Sequence, residues 1–158
     1  MVNDKFEFTG EVKTVFGITL RRIKSIKAFG NVDKGELGGW IEKESNLVVT
    51  GDAWVTGDAW VTGNARVDGN AWVDGGKWDK SPLYIQGTKH SVCMQTPKLL
   101  KIGCQVRTIK QWQNHGERIG KANGYTDEQI AEYQMYIELA AKRYGVDDAE
   151  SDEVFEND

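Results

Sequence analysis

The chain has 158 residues, 39% of them hydrophobic, and a formal net charge of −4; this allows a core of ordinary size and excludes a general basic field for nucleic acid. No stretch approaches the length of a transmembrane helix, and Met1 to Gly10 lacks the apolar core of an export signal, so neither a membrane partner nor secretion is expected. Two cysteines without metal-type pair spacing fit a reducing cytoplasm, with no metal and no cofactor.

Residues 1–40 read as an N-terminal β cap. Phe6 and Phe8 alternate with polar partners, and Val12, Val15, Ile18 and Leu20 straddle a turn at Phe16-Gly17. Arg21, Arg22, Lys24 and Lys27 alternate with Ile23 and Ile26. That pattern suits a strand with one solvated face, and also an anion-binding face. Gly30 to Trp40 is rich in glycine and turns, but without the spacing of a dinucleotide fingerprint or a phosphate loop. It reads as the lead-in to a repeat region, with Trp40 and Ile41 covering the open end.

Residues 41–90 hold that repeat. From Val49 to Trp78 the chain runs in sixes, each opened by Val49, Val55, Val61, Val67 or Val73, which is the period of a parallel β-helix built from hexapeptides. The valines are expected inward, with their neighbours outward. Gly51-Asp52, Gly57-Asp58, Gly63-Asn64 and Gly69-Asn70 fall where the chain turns, because glycine accepts positive φ. Ala53, Ala59, Ala65 and Ala71 fit the cramped corner behind each turn. Three units per coil would stack residues 18 apart, so Trp54 falls under Trp72, Trp60 under Trp78 and Arg66 under Tyr84, with His90 above Trp72. Outward aromatic columns of this kind require a reason.

Residues 91–125 read as a hairpin and a connection. Val92-Cys93-Met94 and Leu99-Leu100-Lys101-Ile102 flank Thr96-Pro97-Lys98, which would set His90 opposite Cys104. The spacing matches no zinc module, and buried small hydrophobes with a surface histidine are the preferred reading. Thr126 opens a helix over 126–145: Thr126 with Gln129 makes a capping box, and Gly145 is the stop. Its apolar stripe is Ile130, Tyr133, Ile137, Ala140, Ala141 and Tyr144, expected to pack on the repeat region or on a neighbouring subunit. The acidic segment 146–158, with seven Asp and Glu, is expected to be disordered.

Phe29 to Ile41, the W-V-x-G-N-A type repeats, Ile102-Gly103-Cys104, Ile119-Gly120, Gly124-Tyr125-Thr126 and Glu132-Tyr133 resemble a group of small phage and prophage hexapeptide-repeat proteins. The lead-in segment is similar, more distantly, to enterobacterial proteins described as acetyltransferases on fold grounds. The repeats themselves resemble the left-handed β-helix family, in which three units close a triangular coil. The resemblance thus implies one mainly β domain over 1–158: a short left-handed parallel β-helix with an N-terminal β cap, a C-terminal β-hairpin and one α-helix. It also implies a phage setting, in an infected or lysogenic bacterial host.

Three functions follow from this reading. The preferred one is a non-enzymatic, cytoplasmic binding protein serving counter-defence, which sequesters a nucleotide-type signal or blocks a host defence protein. Trp54, Trp60, Trp72 and Trp78 would then sandwich a planar base, while Arg66, Arg21 or Arg22 holds phosphate. The same tryptophans also suit burial in a homotrimer interface. The second reading is a trimeric acyltransferase with His90 as general base. The third is a structural phage component.

Overall fold

The computed structural model describes residues 3–146. The expected disorder of the acidic segment concerns residues outside this range, apart from Val146. The chain divides into two compact units, one running to Pro82 and including Gln95–Pro97, the other comprising Leu83–Met94 and the chain from Lys98 onward.

The first unit opens with a hairpin of β1 (Phe6–Val15) and β2 (Ile18–Ser25). Val15 pairs with Ile18 across Phe16-Gly17, both at positive φ (49° and 80°), as a tight two-residue hairpin turn demands. β2 pairs antiparallel with β3 (Leu37–Ile41). The repeats then contribute two-residue strands: β4 (Trp54–Val55), β5 (Trp60–Val61), β6 (Trp72–Val73) and β7 (Lys77–Trp78). β3, β5 and β7 pair in parallel, as do β4 and β6.

Local geometry within the repeats follows the sequence pattern. Val55, Val61, Val67 and Val73 are fully buried, and Ala53, Ala59, Ala65 and Ala71 are buried behind the turns. Gly51, Gly57, Gly63 and Gly69 all adopt positive φ. Two of them are also closely approached: a Cβ on Gly51 would lie 2.6 Å from the carbonyl oxygen of Gly69, and one on Gly57 2.9 Å from that of Asp74.

The architecture differs from the expected left-handed parallel β-helix. The described residues form a mixed five-stranded sheet in the order β1-β2-β3-β5-β7, a separate parallel pair β4-β6, and a four-stranded sheet in the second unit. None of these closes or continues as a solenoid. The reason lies at the ends of the repeat: β3 offers one edge to an antiparallel hairpin, and the last repeat breaks phase. In Val73 to Trp78 the positive φ moves from the second residue after the valine to the third, Gly76. The strand therefore starts one residue early, and Trp60 pairs with Lys77 while Val61 pairs with Trp78. A one-residue slip reverses the faces. Trp78 consequently takes an inward valine's place, 3% exposed, and its indole N–H donates to the Gly75 carbonyl at 2.9 Å.

In the second unit, β8 (Tyr84–Gln86), β9 (Ser91–Thr96), β10 (Leu99–Ile102) and β11 (Gln105–Thr108) form a sheet in the order β11-β10-β9-β8. Tyr84 pairs with Cys93 there, not with Arg66. Two helices follow, α1 (Ile109–Ala122) and α2 (Asp127–Tyr144). The first falls in a span expected to be a mere connection. The second packs on the first. Gly116 and Gly120 of α1 sit against Ile137 and Ile130 of α2, where a Cβ would lie 3.3 and 3.1 Å from the isoleucine carbons. Among the described residues, no helix is long and apolar enough to cross a membrane.

α2 has the predicted cap: the Gln129 N–H donates to Thr126 Oγ1 at 3.2 Å, and the Thr126 N–H donates to Gln129 Oε1 at 2.9 Å. Replacing Thr126 by Ala is expected to cost about 1 kcal/mol. Urea unfolding followed by far-UV circular dichroism reads this as a lower midpoint at unchanged slope; an unchanged midpoint would show that the cap bears no load.

Candidate functional site

The residues singled out in the sequence do not converge on one site. Trp54 and Trp72 pair as expected, but Trp54 is 0% exposed and packs edge-on to Phe29 at 5.4 Å. Trp78 is buried as described, while Trp60 and Trp72 are half-buried. Burial inside the chain thus removes Trp54 and Trp78 both from an outward aromatic column and from a subunit interface. Arg22, Trp40, Trp60 and Lys77 stand in register across β2, β3, β5 and β7. Lys13 and Lys77 lie over the Trp40 and Trp60 rings at 4.3 and 5.3 Å. Arg22 is held by Glu11 at 3.3 Å, Lys24 by Glu7 at 3.3 Å and Lys27 by Asp4 at 3.0 Å, so three of the four basic residues of that cluster already have a carboxylate. Arg21 lies over Phe8 at 5.2 Å, and Arg66 is exposed on no strand. This row is a solvated sheet face crossed by cation–π contacts rather than a cleft.

A concave site lies in the second unit; His90 and Cys104, both singled out in the sequence, line it, while the repeat pattern gives no sign of it. It is built on the turn Thr88–His90, which α2 pins down. The Glu132 carboxylate accepts from the Thr88 N–H at 3.0 Å, from the Thr88 hydroxyl and from the Tyr136 hydroxyl. These bonds, those of Thr88 foremost, hold Glu132 below its ordinary carboxylate range. The next residue, Tyr133, accepts at Oη from the Lys89 and His90 N–H groups at 3.0 and 2.6 Å and donates to the His90 carbonyl. Gly87 makes this possible, since a Cβ there would collide with the Tyr133 hydroxyl.

The His90 ring is thereby set against Tyr125, with Nδ1 and the phenol oxygen 2.6 Å apart and the rings stacked at 5.7 Å. Burial, aided by nearby Tyr133 and Glu132, pushes the Tyr125 phenol up to about 12, so it stays protonated at neutral pH. Lys89 lies over the Tyr125 ring at 4.7 Å and donates to the Asn123 and Gly124 carbonyls at 3.3 and 3.1 Å. Gly103 lies beside His90: a Cβ there would lie 3.1 Å from the imidazole.

Between these groups and the helices is a pocket of about 140 Å³. Trp112, Ile119, Ile130 and Ile137 supply apolar wall, and Gly116 and Gly120 leave room where side chains would stand. The polar lining is His90, Cys104, Gln105, Asn123, Tyr125, Tyr133 and Gln134, and among the described residues no Asp, Glu, Lys or Arg lines it. Cys93 is buried on β9, whereas Cys104 is exposed. Among the described residues, no three His, Cys, Asp or Glu side chains are grouped to hold a metal ion. The arrangement offers apolar contact and neutral hydrogen bonds, which fix the orientation of a small ligand. The chain matches no protein-family model and no curated protein sequence.

Proposed function

We propose that this chain is a non-enzymatic binding protein that holds a small ligand in the pocket between the Thr88–His90 turn, α1 and α2. The supporting observation is an apolar recess ringed by neutral polar groups and cleared by two helical glycines. On its resemblance to phage and prophage proteins, we read the binding as counter-defence, the removal of a host signal molecule. Self-association, on this reading, uses the half-buried Trp60 and Trp72.

Gly116→Leu tests the pocket. The new side chain starts 3.3 Å from Ile137 Cδ1 and 3.8 Å from Trp112 Cε3, so it fills the recess. Loss of a helical glycine favours α1 by roughly 0.5–1 kcal/mol, which offsets crowding. Native mass spectrometry of protein purified from cells is expected to show a retained small molecule in the wild type and none in the folded variant. Equal retention by both would overturn the proposal. So would an acetyl-CoA-dependent turnover that disappears in His90→Ala, which would favour acyl transfer.

A further inference from the structure

We infer that the pocket takes an uncharged six-membered ring with a cis-amide edge, an N–H beside a C=O as in a lactam, cyclic imide or pyrimidinone. This rests on the pocket being a ligand site and names the chemistry of its ligand.

Size sets the ring. An apolar cavity of about 150 Å³ accommodates benzene, and the recess here is about 140 Å³. The lining sets the charge: among the described residues no carboxylate, ammonium or guanidinium side chain lines the wall, so an ionised ligand would lose its hydration without gaining a fixed counter-charge. The polar groups set the edge. His90 Nδ1 and Tyr125 Oη share one hydrogen bond, and either way of making it leaves a donor and an acceptor for a ligand. If the phenol donates, the imidazole presents Nε2–H and the phenol oxygen accepts; if the imidazole donates, the phenol presents its O–H and Nε2 accepts. The phenol stays protonated and carries no charge through the physiological range.

Gln134 adds a second donor–acceptor pair. Its carboxamide lines the pocket, stands exposed and makes no hydrogen bond to another described residue. Gln105 and Asn123 contribute less, since Gln105 Oε1 accepts from Arg107 at 2.8 Å and Asn123 Nδ2 donates to the Ile119 carbonyl at 2.7 Å. A cis-amide edge matches adjacent donor–acceptor pairs, and a hydrocarbon would leave them unpaired once water is expelled.

Four probes separate the possibilities: uracil, 1,3-dimethyluracil, orotate and toluene. They are titrated into the full chain and followed by amide chemical shifts of the pocket residues. Uracil is expected to bind at the pocket, with the other three weaker by about 10-fold or more, the scale of a buried hydrogen-bonding group left unsatisfied. In Gln134→Leu, uracil should weaken several-fold while toluene does not. If dimethyluracil or toluene binds as well as uracil, the amide edge is refuted while the pocket stands. If orotate binds best, the charge argument is refuted. If no probe shifts a pocket residue, the inference fails; the pocket itself fails only if Gly116→Leu also leaves the retained molecule in place.

Discussion

Trp54→Ala is expected to cost about 3–5 kcal/mol of stability, the range for truncating a fully buried large aromatic, whereas Trp72→Ala should cost less than half of that. The two residues pair in register and occupy the same place in repeats three units apart. Only the covering differs. Trp54 lies under the segment that leads into the repeats, with Phe29 edge-on to its ring. Gly38 makes that cover possible: a Cβ there would stand 2.8 Å from Trp54 Cζ2, 2.6 Å from Ile23 Cγ1 and 2.7 Å from the Val55 carbonyl oxygen. The glycines of the lead-in are therefore set by the indole beneath them.

Trp54→Phe provides the control. The indole Nε1 is buried and makes no hydrogen bond among the described residues, so removing that donor offsets part of the lost volume. This variant should lose roughly 1–2 kcal/mol. Urea unfolding at constant slope ranks the three variants. If Trp54→Ala costs no more than Trp72→Ala, Trp54 does not hold the lead-in segment to the repeats.

That contrast marks where the sequence is legible. The valine, alanine and glycine positions of the repeat are local requirements, and from Val55 on they appear in the structure as their spacing demands, whereas the first valine, Val49, is only half-buried. The limits of α2 are equally local, since Thr126, Gln129 and Gly145 define them within one turn at each end. The hairpin's turn at Phe16-Gly17 was legible, but a period of six says nothing about what pairs with the edge strand, so its antiparallel pairing with β3 was not. The slip at Gly75-Gly76 was hidden because Trp78 keeps the sequence beat while its backbone loses it.

α1 was legible in principle: Thr108 and Gln111 form the same capping box as Thr126 and Gln129. Gly116 and Gly120 obscured it, because glycine argues against a helix until a partner helix is known to need the space. For the same reason the pocket had no sequence signature. Its polar groups come from a turn, a strand end and two helices, and only packing brings them together.

Stability is expected to rise from about pH 8 to a maximum near pH 10, and Lys5 is the cause of the rise. Its ammonium is wholly buried, donates to the Val48 and Gly51 carbonyls at 3.2 and 3.3 Å and lies 4.6 Å from the Phe29 ring centroid. Burial draws it down from its ordinary 10.5 to about 8; Lys27 adds to the drop, and Asp52 and Asp68 oppose it. A native value below the unfolded one means that, between pH 8 and 10.5, the unfolded chain holds a proton the native chain has released. Stability then increases with pH. The penalty is fully present below pH 8 and gone above 10.5, and a drop of this size corresponds to about 3 kcal/mol at most.

Above pH 10 the slope reverses. The phenols of Tyr125, desolvated, and Tyr136, bonded to Glu132, are pushed up to about 12. The unfolded chain then loses those protons first, and the native state loses ground as pH rises from 10 to 12. Lys5→Met should abolish the rise between pH 8 and 10 and leave the fall above pH 10 intact. At pH 7 it should be neutral or stabilising, because an apolar side chain of similar length replaces a desolvated charge. Val48 is half-buried and Gly51 exposed, so water reaches the carbonyls it vacates. Urea midpoints at intervals from pH 7 to 11 give both limbs. A wild type whose stability is flat or falling between pH 8 and 10, or a Lys5→Met protein that keeps the same rise, would show that the Lys5 ammonium is not the buried cost on which the pH profile depends.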